Sequence, residues 1–243
     1  MTAHTIFITG TDTGVGKTHI ACAILKKLRA AKRDACGFKP VASGCDRTAD
    51  GLRNADALAL QAAAKTGEPY ESINPYAFEA AIAPHLAAER SGVRISVLKL
   101  REAHAALAGR HELIVAEGAG GWRVPLDESW TMAEFVGEQE WPVVLVVGMR
   151  LGCINHALLT ADAIMRSTRL IGWVANVLPP KMDALDENIE TLKAHLSAPL
   201  LGIVPANASV DAAAKALDLA PLLQSFGALA PQTSLTRSSR PQA

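Results

Sequence analysis

Short runs of β-branched and aliphatic residues alternate along the chain with longer stretches of helical period. The runs are Thr5–Thr9 (TIFIT), Cys36–Lys39, Leu113–Ala116 (LIVA), Val143–Val147 (VVLVV), Leu170–Val177 and Leu200–Val204 (LLGIV). Most are apolar at every position rather than at alternate ones, which is the pattern of strands buried on both faces. Between them, Thr18–Ala31 sets Ile20, Ile24, Leu25 and Leu28 on one helical face and Lys26, Lys27 and Arg29 on the other. Ala55–Ala64, Ser96–Ala108, Ile154–Arg166, Leu185–Leu196 and Val210–Leu223 follow the same logic. This alternation predicts an α/β fold: a doubly wound, mostly parallel sheet of about six or seven strands with helices on both faces. Neither an internal repeat nor a linker divides the chain, so residues 1–226 are expected to form a single domain. Residues 227–243 (GALAPQTSLTRSSRPQA) have the composition of a disordered tail.

Composition narrows the function. The 243 residues are 49% apolar and 20% charged, enough to bury a real core and to exclude disorder over most of the length. Lys plus Arg and Asp plus Glu are both 24, a balance that argues against non-specific nucleic-acid binding. Aromatics at 5% leave no base-stacking platform. Cys22, Cys36, Cys45 and Cys153 form no C-x-x-C pair and read as reduced, buried thiols rather than a zinc site. The first residues, MTAHTIFITGTD, enter a strand pattern at once, and the longest apolar runs are strand-sized. A soluble, cytoplasmic protein with no membrane partner is expected.

The strongest chemical signal is Gly10–Thr18, GTDTGVGKT, between TIFIT and an amphipathic helix. Glycines let backbone N–H groups curl around phosphate oxygens, and the helix N-terminus adds its partial positive charge. Lys17 would reach the β and γ phosphates, and the Thr18 hydroxyl would hold Mg2+. In the pattern G-x-x-x-x-G-K-[ST] the first glycine falls at Thr11, with Gly10 one place early. A second signal is Leu113–Gly121, LIVAEGAGG, whose Glu117 stands where a phosphate-loop fold puts its second Mg2+ group. Alone, it reads equally as a strand ending in a solvated Glu and a flexible loop. Phe38–Gly44, FKPVASG, sets Lys39 at the carboxyl end of a buried strand, the edge where open α/β sheets place ligands. By itself that placement favours a solvated lysine. Asp56, two residues after Asn54, reads as ordinary first-turn helix chemistry. His85 and His156 join no constellation, and Trp122, Trp130, Trp141 and Trp173 read as core.

Taken in order, GTDTGVGKT, GFKPVASG, GLRNADALAL, NPYAF, APH, EGAGGW, VVGMRLGCINHALLT, GWVANV and APLLGIVP make the chain similar to the dethiobiotin synthetase family over about residues 5–223. The combination of FKPVASG with LGCINHALLT is the specific part, since the phosphate loop alone indicates only nucleotide binding. The resemblance implies a P-loop NTPase-like fold working as a homodimer, with ATP as co-substrate and Mg2+ as cofactor. It implies that Thr13, Gly14, Val15, Gly16, Lys17 and Thr18 cradle ATP, and that Thr18, Asp56 and Glu117 hold the magnesium. Lys39 matches the family's active-site lysine, acting beside Lys17, and Ser43 its substrate-contacting serine. Glu117, Gly118, Ala119 and Gly120 would line the nucleotide and substrate side, with Thr13 near both. Asn176 would read the adenine edge, with Pro205, Ala206 and Asn207 closing the base pocket. Gly152, Cys153, Ile154 and Asn155 would grip the substrate carboxylate of the neighbouring subunit. Gly14 replaces an acid found in some relatives, and the segment after Pro205 is short of their pattern.

The implied reaction is closure of a cyclic urea from 7,8-diaminononanoate, CO2 and ATP. Two other classes compete. A partner-driven ATPase switch of the partitioning or maturation type resembles this fold but carries K-G-G-x-G-K-T, whose first lysine falls at Asp12. A non-catalytic nucleotide-binding subunit would lack Lys39 or Glu117, and a cobyrinate-amidating relative would need a glutaminase domain for which 243 residues leave no room.

Overall fold

The computed structural model describes residues 3–227. β1 (His4–Gly10) leads into α1 (Lys17–Ala30) and β2 (Ala35–Phe38). There follow β3 (Val41–Ser43), β4 (Asp46–Thr48), β5 (Gly51–Arg53), α2 (Ala55–Ala64), α3 (Tyr70–Ile73), β6 (Tyr76–Phe78), α4 (Pro84–Arg90) and α5 (Val97–Ala108). The second half runs β7 (Leu113–Glu117), α6 (Met132–Glu138), β8 (Val143–Met149), α7 (Cys153–Met165), β9 (Leu170–Val177), α8 (Leu185–His195), β10 (Leu200–Val204), α9 (Val210–Ala216) and α10 (Ala220–Gly227).

Among the described residues, six strands form one sheet in the order β10-β9-β8-β1-β7-β2, with every pairing parallel. All six are the strands read from the apolar runs. Most of their positions are apolar because helices cover both faces; every residue of β8, for example, is buried. Alternate side chains of β1 serve different layers. Ile6 and Ile8 pack with Ile20, Ile24 and Leu28 of α1 and with α2, α9 and α10. Phe7 faces the opposite layer, built from α3 to α8 and including Phe135, Trp141 and Ile164. Trp122, Trp141 and Trp173 are buried as expected, and Trp130 is packed against the same layer.

β1 is the topological switch point: β7 and β2 lie on one side of it, and β8, β9 and β10 on the other. Such a reversal opens a crevice beyond the carboxyl ends of the strands. Small additions surround it, namely the parallel pair β3–β6 and the antiparallel pair β4–β5. Two expectations need correction. The strand expected over Cys36–Lys39 ends at Phe38, just before Lys39. The helix expected over Val210–Leu223 is two helices: Leu217 turns to extended backbone, Asp218 N–H donates to Leu201 O at 2.7 Å, and Asp218 Oδ1 accepts from Ala220 N–H at 2.9 Å. Pro221, which has no N–H to give a continuing helix, suits the first turn of the second one. The expected tail lies outside the described residues, apart from Gly227, which ends α10. Among the described residues no helix is long and apolar enough to cross a membrane.

Candidate active site

The loop between β1 and α1 wraps the start of a helix that no side chain caps. Gly16 holds the N-cap position at φ 90°, and a Cβ there would collide with the amide of Asn176. The first-turn N–H groups therefore face outward with nothing of their own to bind, which is the arrangement that accepts phosphate oxygens. Val15 is fully buried beneath the loop, and Asn176 Nδ2 donates to its carbonyl at 2.8 Å. Lys17 Nζ lies back over the loop and donates to Asp12 O at 3.0 Å. The Asp12 carboxylate accepts from Thr13 N–H at 2.7 Å and pairs with Arg150, so β8's end is tied to the phosphate loop.

Strand register brings the acids and the second lysine together. β2 pairs with β7 so that Phe38 stands beside Ala116, and one step further Lys39 stands beside Glu117. Lys39 is 2% exposed and Glu117 is 0% exposed, so neither is the solvated group that its position alone suggested. Lys39 Nζ donates to Glu117 Oε1 at 2.7 Å, to Asp56 Oδ2 at 2.9 Å and to Gly118 O at 3.3 Å. Thr18 Oγ1 donates to Glu117 Oε1 at 2.8 Å. Asp56 reaches the group from α2, whose N-cap Asn54 accepts from the N–H groups of Asp56 and Ala57. Asp56 is thus both a first-turn helix residue and a member of the site. Gly118 is required where it is, since a Cβ would stand 2.8 Å from Phe7 Cζ.

Burial works against the charge of Lys39, but Glu117 and Asp56 outweigh it and hold its pKa above the usual value. Asp56 mirrors this: burial opposes its charge, and Lys39 pulls its pKa below the ordinary range. Burial, reinforced by the nearby charge of Lys39, pushes Lys17 down. Glu117 Oε2 is buried with no hydrogen-bond partner. A sealed carboxylate oxygen without a donor, beside the Thr18 hydroxyl and Asp56, is chemically suited to a hard divalent cation. Among the described residues no cluster of three His, Cys, Asp or Glu side chains could hold a metal unaided. A cation here would therefore draw its remaining oxygens from phosphate or water.

These groups line a cavity of about 480 Å3 that also includes Thr13, Gly14, Gly16, Ser43, Ala119 and Gly120. His19, Ala42 and Asn54 line it too, and sequence reasoning did not assign them to the site. Asn54 had a signal, as a cap; His19 and Ala42 had none beyond adjacency to the motifs. The other expected residues lie outside this cavity. Asn176 is packed against the far side of the phosphate loop at the end of β9. Pro205, Ala206 and Asn207 form a turn after β10, with Asn207 at φ 57° and Ala208 N–H donating to Pro205 O. Gly152, at φ 93°, is the N-cap of α7, another helix start without a side-chain cap or a first-turn acid. Cys153 is buried there, while Asn155 is exposed and Leu151 is 94% exposed.

A protein-family model described as an AAA domain matches residues 4–214. The chain is 51% identical over 226 residues to a protein of Cellvibrio japonicus named ATP-dependent dethiobiotin synthetase BioD, covering 92% of this chain and 99% of that one. It is 51% identical over 220 residues to the protein of the same name from Pseudomonas paraeruginosa (89% and 96% covered). A third of that name, from Xanthomonas oryzae pv. oryzae, is 49% identical over 214 residues (88% and 96% covered). Among solved structures, the septum site-determining protein MinD from Pyrococcus horikoshii, complexed with Mg-ADP, superposes with a TM-score of 0.51 at 14% identity, covering 84% of this chain and 82% of that one. That likeness concerns the P-loop fold alone.

Proposed function

The chain belongs to the dethiobiotin synthetase family, an ATP-dependent ligase family of biotin biosynthesis, and from that membership we propose that it closes the ureido ring of dethiobiotin from 7,8-diaminononanoate, CO2 and ATP. The observation that carries the reading is the buried Lys39 ammonium, fixed beside an uncapped phosphate loop in one cavity.

One substrate amine adds to CO2, forming an N–C bond and losing a proton to give a carbamate. A carbamate oxygen then attacks the γ phosphorus and ADP leaves. The second amine attacks the carbonyl carbon, phosphate departs, and the cyclic urea remains after loss of the second proton. Every bond is made between substrate atoms, so no protein nucleophile is required. The chain's part is to hold anions close together and exclude water. The N–H groups of α1 and the Lys17 ammonium bind the triphosphate and favour the charge that builds on the leaving oxygen. Lys39 faces the carbamate and its mixed anhydride from the other wall of the cavity. Thr18, Asp56 and Glu117 would hold Mg2+, which when bound neutralises phosphate charge.

Asn176 and the turn Pro205–Asn207 serve the adenine, the Asn176 amide oxygen accepting from the base while its Nδ2 is engaged with Val15 O. The enzyme works as a cytoplasmic homodimer. Gly152, Cys153, Ile154 and Asn155 of one subunit hold the substrate carboxylate of the other at the open start of α7, where free N–H groups suit an anion. The exposed Leu151 and Leu159 beside that segment support a protein partner there. The test is direct: purified protein with 7,8-diaminononanoate, bicarbonate and Mg-ATP should yield dethiobiotin, ADP and phosphate in equal amounts by mass spectrometry and phosphate assay. ATP consumption without the cyclic product would overturn the proposal.

A further inference from the structure

Lys39 and Asp56 meet through their side chains, and a separate chain of buried hydrogen bonds joins them through their backbones. Asn74 Nδ2 donates to Lys39 O at 2.7 Å, and Asn74 Oδ1 accepts from Tyr70 OH at 2.8 Å. Tyr70 OH in turn accepts from Asn54 N–H at 2.7 Å, and Asn54 Oδ1 caps the helix that carries Asp56. Lys39 N–H donates to Ile73 O at 2.8 Å, so the single turn α3 grips the peptide groups on both sides of the Lys39 Cα. Tyr70, Asn74 and Asn54 are 6%, 3% and 7% exposed, and Tyr70 belongs to the buried layer that includes Phe38, Val41, Ile73 and Phe78. Phe and Leu in place of Tyr70 and Asn74 would leave the buried Asn54 N–H and the Lys39 and Tyr76 carbonyls without these partners. The same polar side chains fix the geometry of the backbone groups they join.

We infer that Tyr70 and Asn74 are positioning residues that set the separation of Lys39 from Asp56, and so from the phosphate end of the cavity. The inference rests on the proposed ring closure for its kinetic consequence, though not for its structural one. The ring is closed: the Lys39 Nζ to Asp56 Oδ2 contact at 2.9 Å joins the side chains, and the Asn74–Tyr70–Asn54 chain joins the backbones. A shift of either partner by an ångström strains a hydrogen bond in that ring. Displacements of that size are costly to rates because reacting atoms must stay within near-attack distance.

Tyr70→Phe is the decisive variant, since it keeps the ring and deletes only the link, and Asn74→Ser is a second. The control is Tyr76→Phe. Tyr76 is also 6% exposed; its carbonyl accepts from Asn74 Nδ2, a bond that Tyr76→Phe keeps, but its hydroxyl, which accepts from Ser96 N–H at 2.8 Å and donates to Arg94 O, takes no part in the Asn74–Tyr70–Asn54 chain. Tyr70→Phe should lower kcat about tenfold with the KM for ATP changed less than about twofold, while Tyr76→Phe keeps kcat. In a Lys39→Gln background the same Tyr70 change should cost less than about twofold more, because a positioning residue has nothing left to position. A turnover-free measurement runs alongside: the 13Cε resonance of Lys39, assigned by its loss in Lys39→Gln, should shift in Tyr70→Phe and Asn74→Ser but not in Tyr76→Phe. An additive double mutant in an active enzyme, or an unmoved Lys39 resonance, overturns the inference. A protein whose resonance shifts as expected but which forms no dethiobiotin overturns the proposed function and leaves the positioning role standing.

Discussion

A cluster of titratable side chains lies at each end of the β2–β7 pair, and the two clusters are built differently. At the amino ends, Arg110 donates from Nε and Nη2 to the two carboxylate oxygens of Glu68 at 2.8 and 2.7 Å. His111 sits between Glu68 and Asp34, with ring nitrogens 2.9 and 3.0 Å from their oxygens. Both oxygens of Glu68 have partners, and its pKa is held at about 2, first by the Arg110 hydrogen bonds. At the carboxyl ends, Lys39, Asp56, Glu117 and Lys17 are just as crowded, yet Glu117 Oε2 has no partner and Lys17 is pushed below its usual pKa. A cluster whose bonds are all made internally holds strands together. One that leaves a buried acceptor and a depressed lysine facing a cavity is prepared for something else to bind.

The largest effect that would separate the two ends is Lys39→Gln. It should reduce kcat by about 10²–10³, the usual cost of removing one group aimed at developing charge, while circular dichroism shows a folded protein. Near-normal turnover would remove Lys39 from the mechanism. Next comes pH. Only a neutral amine captures CO2, so the rate should climb steadily from pH 6 to about pH 8 at fixed CO2 concentration. On the alkaline side kcat/KM should decline sooner than for an enzyme relying on a surface lysine, because the lowered pKa of Lys17 means its charge is lost at lower pH. The amino-end cluster behaves otherwise. Glu68 has a folded pKa of about 2 against an ordinary 4.5, so its stabilisation is complete above pH 4.5 and is lost as pH falls towards 2. Acid should therefore silence the enzyme well before it unfolds it; thermal melts and rates across pH 3–8 would show coincident losses if the two clusters were one system.

A smaller signal tests whether the carboxyl-end site is completed by a second subunit. After subunit exchange, Lys39→Gln mixed with Asn155→Ala should recover to about a quarter of wild-type activity, since half the dimers are mixed and each has one intact composite site. No recovery would place Asn155 and Lys39 in the same subunit's site. The smallest change belongs to the amino end: Glu68→Gln should lower the melting temperature by roughly 5 °C through a broken, partly exposed ion pair, with kcat unchanged. A loss of turnover there would mean that the strands transmit strain from one end to the other.

The sequence alone carried the six sheet strands, because a strand covered on both faces is apolar at most positions and stands out as a short aliphatic run. It also carried the phosphate loop, because a glycine at φ 90° followed by Lys and Thr at a helix start is a local requirement written in consecutive residues. Short elements were less legible. α6 is announced by its capping box, Thr131 with Glu134, but spans only seven residues, and the turn α3 has four. The state of Lys39, Asp56 and Glu117 was not legible from their positions: a lysine or glutamate after a strand is usually solvated, and here register and burial make them an ion cluster. Nor could spacing reveal Asn74 beneath Lys39 or Arg150 against Asp12, contacts that span 35 and 138 residues. Local sequence determines what each segment prefers and what chemistry it carries. Which charges are sealed together, and which buried oxygen is left without a donor, depends on how β2, β7 and α2 pack, and only the tertiary structure decides that.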